Sequence, residues 1–168
     1  MRRLLLWASA AAALLALAAC APAALGGSAS NPFPATGGAP KVSAGSTVYV
    51  RLEHSLAELG LQPRDLRPAL WVPSGYDSEM GDVTPQFGLD VSSAPQGWTF
   101  RLSLVRAERS SERGSGAFDS PRTVYALWSV YEVTAPPDAL PGPYRFRGTL
   151  NARDGGAVPV RFDVEVVR

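Results

Sequence analysis

The sequence predicts an all-β domain, an antiparallel sandwich of about seven short strands, and three observations carry that expectation. Apolar and polar residues alternate with a period of two in stretch after stretch from Lys41 to the end. Gly, Pro, Asn and Asp cluster between those stretches, and helical periods are few.

The elements follow in order. Val48, Val50 and Leu52 face one way while Arg51 and Glu53 face the other, as in a half-buried strand. Ser55-Leu56-Ala57-Glu58 has capping-box spacing and predicts one or two helical turns before Gly60, a connection and not a layer. Ala69-Leu70-Trp71-Val72, between Pro68 and Pro73, reads as a short edge strand. Phe87, Leu89 and Val91 alternate with Gly88 and Asp90, and Trp98, Phe100, Leu102 and Leu104 with Thr99, Arg101 and Ser103. Val124 to Val133 is apolar or aromatic on both faces, which predicts a central strand with its second face covered, or a binding face. Tyr144, Phe146, Gly148 and Leu150 form one more alternating run, and Val158, Val160, Phe162, Val164 and Val166 another. Asp154-Gly155-Gly156 joins these two as a hairpin.

Two stretches narrow the architecture. Ala94-Pro95-Gln96-Gly97-Trp98-Thr99-Phe100 resembles the Pro-x-Gly-Trp lead into a strand of bacterial immunoglobulin-like modules found on envelope and secreted proteins. Val133 to Phe146, with Pro136, Ala139, Pro141, Gly142 and Tyr144, resembles their corner before the last hairpin. The resemblance implies an Ig-like β-sandwich, and it implies no activity, because sandwiches host unrelated functions.

The N-terminus has the layout of an export signal. Met1-Arg2-Arg3 is basic, and Leu4 to Leu17 is an almost unbroken apolar run, too short and wrongly flanked for a membrane span. Leu17-Ala18-Ala19-Cys20 resembles the bacterial lipobox, which implies cleavage before Cys20 and acylation of that cysteine. A plain secretory signal or an uncleaved anchor is the alternative. Ala21 follows in place of an aspartate, and in an organism with two membranes the lipoprotein pattern then favours the outer one. The expected organisation is a signal peptide over 1–19, an acylated Cys20 with a flexible Gly/Pro/Ser/Ala tether to 40, and the sandwich domain over 41–168. About 20 flexible residues would span roughly 25 Å. Phe33, between two prolines, is the tether's one aromatic residue.

Composition removes several function classes. Of 16 basic residues Arg2 and Arg3 leave with the signal, so 14 face 15 acidic ones and the mature charge is −1. That is no footprint for nucleic acid. Cys20 is the only cysteine, so an acylated chain has no disulfide, thiolate site or cysteine nucleophile. The expected partners are a membrane, through the covalent lipid, and an envelope protein.

The candidate sites are few. His54 is the sole histidine, in phase with inward residues at a strand end, and no nucleophile motif accompanies it. A hydrogen-bonded core histidine is the expectation, and no catalysis. Asp77, Glu79 and Asp82, in the loop from Pro73 to Pro85, could offer oxygens to Ca²⁺ but miss the calcium-loop spacing. Small-ligand or Ca²⁺ binding through this loop is the alternative function. The stretch from Arg106 to Arg122 reads as the longest connection, a mobile tip or a partner-binding loop of protease-inhibitor type, with Phe118 its only large apolar group. Alternation places Tyr125 and Tyr131 on one face and Trp128 on the other. Trp128 is expected in the core and the two tyrosines on a partner-binding face.

Overall fold

A computed structural model of the chain describes residues 26–112, 120 and 122–168; the leader, Cys20 and Phe118 lie outside the described residues. The structure is all-β. Its strands are β1 (Phe33–Pro34), β2 (Lys41–Ser43), β3 (Thr47–His54), β4 (Trp71–Pro73), β5 (Ser78–Asp82), β6 (Phe87–Ser93), β7 (Thr99–Glu112), β8 (Arg122–Thr134), β9 (Gly142–Ala152) and β10 (Ala157–Val167). One sheet has the order β1-β3-β8-β7-β5-β4 and the other β2-β10-β9-β6, and the core lies between them. Among the described residues no helix is long and apolar enough to cross a membrane.

The alternation read in the sequence is what closes the core. Val158, Val160, Phe162, Val164 and Val166 on β10 are all buried, as are Phe146 and Leu150 on β9 and Val48 and Val50 on β3. At the centre Phe100, Tyr131, Phe146 and Phe162 pack with ring centroids 5.5–5.8 Å apart. Trp98 closes the end of the core against Tyr144 and Phe146, at 4.7 and 5.2 Å. Each such pair contributes about 0.5–1.5 kcal/mol beyond the area it buries. The Gly97 bend before Trp98 has φ +80°, a conformation glycine adopts without strain.

Five features differ from the sequence expectation. The described residues hold ten strands in place of about seven, and the sheets are mixed, because β1 runs parallel to β3 and β2 parallel to β10. The first pair comes from the segment expected as free tether, and β2 begins at Lys41, the first residue of the expected domain. From Gly26 onward the tether segment lies on the domain: Tyr49 N–H donates to Gly27 O, Phe33 pairs with Val50, and Glu165 N–H donates to Pro40 O at 2.9 Å. Proline-flanked Phe33 is already extended, so adding it to the edge of β3 costs little entropy and covers an open edge.

The third difference is in β7. A bulge between Leu102 and Leu104 inserts a residue, so Phe100 and Leu102 face in, Leu104 faces out, and Val105 and Ala107 take over the core. The stretch from Arg106 to Glu112, read as loop, therefore continues β7, paired with β8 as far as Glu112↔Arg122. Its charges hid it, because the inward residue after Ala107 is Arg109.

Fourth, Pro73 to Pro85 is mostly a hairpin, with β5 paired to both β4 and β7. Last, Ser55 to Glu58 forms its capping box, Glu58 N–H to Ser55 Oγ at 3.2 Å and Ser55 N–H to Glu58 Oε2 at 3.3 Å, but the chain turns without becoming a helix.

Candidate functional site

The bulge in β7 sets the site, because it reverses which residues of the distal half of the large sheet face inward. Beyond Ala107 the next inward residue is Arg109, opposite Tyr125 on β8 and Glu79 on β5. On β4, Trp71 is opposite Gly81, whose own partner is the inward Ala107, so Trp71 shares this face. Gly81 leaves no space for a side chain, since a Cβ there would meet the Pro68 ring. The strand thereby packs tightly where Trp71 must reach across.

Arg109 is held from two sides. Its Nε and Nη2 donate to Glu79 Oε2 at 2.6 and 2.5 Å, and its guanidinium lies 4.6 Å from the centroid of Trp71. Half-buried charges so paired are more rigid than exposed ones, and the arginine head becomes part of a platform. Glu79, Arg109 and Tyr125 line a groove of about 460 Å³ with Tyr76, Ser111 and Thr123. Tyr76 stands on the β4–β5 turn, 98% exposed. On the other face of β4, Leu70, Val72 and Met80 line a second cavity of about 460 Å³ beside Asp82 and Arg106.

The sequence-predicted residues are redistributed accordingly. Tyr125 is half-buried in the groove, whereas Tyr131 is fully buried in the aromatic core and is not on a partner-binding face. Trp128, expected in the core, is on the outer face with the Arg51 guanidinium 4.9 Å from its ring centroid. The alternation was read correctly, but its sense was inverted. A strand with aromatics on both faces gives no local sign of which one the second sheet covers.

Asp77, Glu79 and Asp82 do not come together. Glu79 turns inward to Arg109, while Asp82 lies opposite Arg106 on the outward phase and accepts Thr84 N–H at 2.8 Å. Among the described residues no group of acidic or histidine side chains could hold a metal ion. Arg109 and Trp71 were missed in the sequence. The available signal was the period-two phase of Arg109, Ala107 and Val105, which the bulge had disconnected from Phe100.

His54 is buried and its Nε2 lies 2.7 Å from Ser129 Oγ, the core position expected of it. Ser129 is completely buried, so no substrate reaches its hydroxyl in this conformation. Tyr131 Oη has no partner among the described residues, and burial pushes its phenol well above the ordinary value, the Ser129 hydroxyl pulling the other way. Burial likewise lowers the His54 pKa, with Glu58 and then Glu53 opposing it. The folded state thus binds a proton at His54 less readily than the unfolded state does. Stability is full above the unfolded value near 6.5 and falls as pH drops from there through the folded pKa. Urea unfolding at pH 7.5 and 5.5 should show lower stability at 5.5, and His54→Gln should flatten that difference; an unchanged difference would place its origin elsewhere.

Comparison with known protein families, with characterised proteins and with solved structures gives no match to this chain.

Proposed function

We propose that the chain is a lipid-anchored protein of the cell envelope whose Ig-like sandwich is a non-catalytic binding module. The observation that carries the reading is the position of the groove. From Gly26 the described chain joins the six-stranded sheet at its β1 edge, while Tyr76, Glu79 and Arg109 stand on the β4–β5 turn, β5 and β7 in the opposite half of that sheet. Three to four strand spacings, about 14–19 Å, separate β1 from β7 and β5. An anchored domain would so present its groove away from its attachment.

The Ig-like assignment has its own support. The neighbour orders β3-β8-β7 and β6-β9-β10 match the B-E-D and C-F-G orders of immunoglobulin sandwiches. Tyr144, at the start of β9, donates its hydroxyl to Leu140 O four residues upstream at 2.8 Å, the arrangement of a tyrosine corner. The chain departs from antibody domains in having no inter-sheet disulfide, its one cysteine being Cys20.

The non-catalytic part rests on His54. The chain's one histidine, on β3, is hydrogen-bonded to a buried serine, and it does not line the groove, which is built from β4, β5, β7 and β8.

The test is photo-crosslinking in intact cells, with p-benzoylphenylalanine at position 76 or 123 and a control at position 140. Leu140 is 73% exposed and lies at the other end of the sandwich. Recurrent adducts from 76 and 123 and none from 140 are expected. Equal labelling from all three, or none, would overturn the binding reading.

A further inference from the structure

We propose that the groove between the β4–β5 turn and the ends of β7 and β8 is a binding site for a neutral saccharide. The inference rests on the binding-module reading and adds the chemistry of the ligand. Three properties of the groove lead to it.

The first is charge. Arg109 and Glu79 neutralise each other, and among the described residues the only other acidic or basic side chain on the rim is Asp77. Among the described residues an anionic ligand would meet no uncompensated cation on this rim, and nucleic acid or a phosphate group is disfavoured on that ground. Among the described residues a cation would find two carboxylates, one of them already held by arginine, too few for a hard divalent ion.

The second is the residual hydrogen-bonding capacity. Both donors that Arg109 gives Glu79 converge on Oε2. Arg109 Nη1 and Glu79 Oε1 have no hydrogen-bond partner among the described residues, and the hydroxyls of Ser111 and Thr123 lie on the same rim. A planar donor beside a planar acceptor matches adjacent hydroxyls of a sugar, each of which both gives and takes a hydrogen bond.

The third is the apolar part of the lining. Among the described residues no Leu, Ile, Val or Met lines this groove; its large apolar surfaces are the rings of Tyr76 and Tyr125. A protein or peptide anchor is usually an aliphatic or aromatic side chain buried in a desolvated pocket, which the Leu70, Val72 and Met80 cavity resembles and this one does not. Flat rings with wet polar neighbours suit the C–H face of a pyranose. A volume of about 460 Å³ holds one or two sugar units. Tyr76, fully exposed on a two-ended turn closed by Ser74 N–H to Ser78 O at 3.0 Å, is placed to cover a bound ring from above.

The experiment is titration of the full-length, ¹⁵N-labelled protein, held in a phosphocholine-headed detergent so that no sugar headgroup competes. The probes are neutral oligosaccharides of two to six units built from glucose, galactose or N-acetylglucosamine. At least one series should shift the amide signals of Ser78, Glu79, Ser111 and Thr123. Tyr125→Ala and, separately, Tyr76→Ala should each weaken that binding about tenfold, the loss expected for one stacked ring. Tyr76 makes no core contact, so its replacement keeps the test valid even if Tyr125→Ala fails to fold. Absence of any shift in the groove, or binding that neither substitution weakens, overturns the saccharide inference. If the saccharides fail while position 76 still crosslinks a protein in cells, the binding module stands with a different ligand. If both fail, so does the reading on which the inference rests.

Discussion

Phe146→Ala should destabilise the domain by about 3–5 kcal/mol, the loss typical of a large aromatic removed from a close-packed core. Phe146 is fully buried, and its ring meets Trp98 at 5.2 Å and both Phe100 and Phe162 at 5.6 Å. It therefore ties three strands of both sheets together. Domains of this kind have a total stability of about 5–15 kcal/mol, so the substitution removes a large part of it. Urea unfolding should show the midpoint falling with the slope unchanged. Leu140→Ala, at a residue 73% exposed, should stay within about 0.5 kcal/mol of the parent. A loss below about 1 kcal/mol at Phe146 would mean that the aromatic cluster is not where the core's stability resides.

Cys20→Ser should move the protein from the membrane fraction to the soluble one. With no cysteine there is no thioether, and two or more acyl chains are what makes such an anchor stable. The folded part of the chain begins close behind that residue. Cys20 and Gly26 are six Cα steps apart, which span at most about 20 Å, so an anchored domain would stand nearly on the lipid headgroups. The roughly 25 Å spacer of the free-tether expectation shortens for this reason. Fractionation with mass spectrometry of the N-terminal peptide checks the prediction. A serine variant that stays with the membrane would sink the lipid anchor, and an unmodified Cys20 in the parent would sink it as well.

The groove and the proposed anchor make separate demands on the chain. The anchor needs only a few residues near the N-terminus, whereas the groove is assembled from β4, β5, β7 and β8, with the outermost contacts in a turn of five residues, Ser74 to Ser78. Substitutions at Tyr76 or Thr123 should thus leave membrane retention intact, and Cys20→Ser should leave the groove intact. This independence lets the two halves of the functional reading be tested in different experiments.

Most of the sheet residues could be read from the sequence, because a strand with one buried face writes its own pattern. In β9 and β10 every inward residue is apolar, and neighbouring positions along each strand settle the face without reference to the rest of the molecule. The Asp154-Gly155-Gly156 turn was legible for the same local reason, as was His54, whose phase with Val50 and Leu52 placed it in the core. What only the tertiary structure decided falls where local pattern loses its meaning. The β7 bulge switches phase in mid-strand and hides Arg109, a charged residue facing inward because Glu79 and Trp71 from other strands receive it. β8 carries aromatics on both faces, so the second sheet alone determines that Tyr131 is core and Trp128 is not. The Gly26 to Pro40 segment has no period and still folds, since its partners are backbone groups of β3 and β10 and backbone pairing leaves no trace in side-chain pattern.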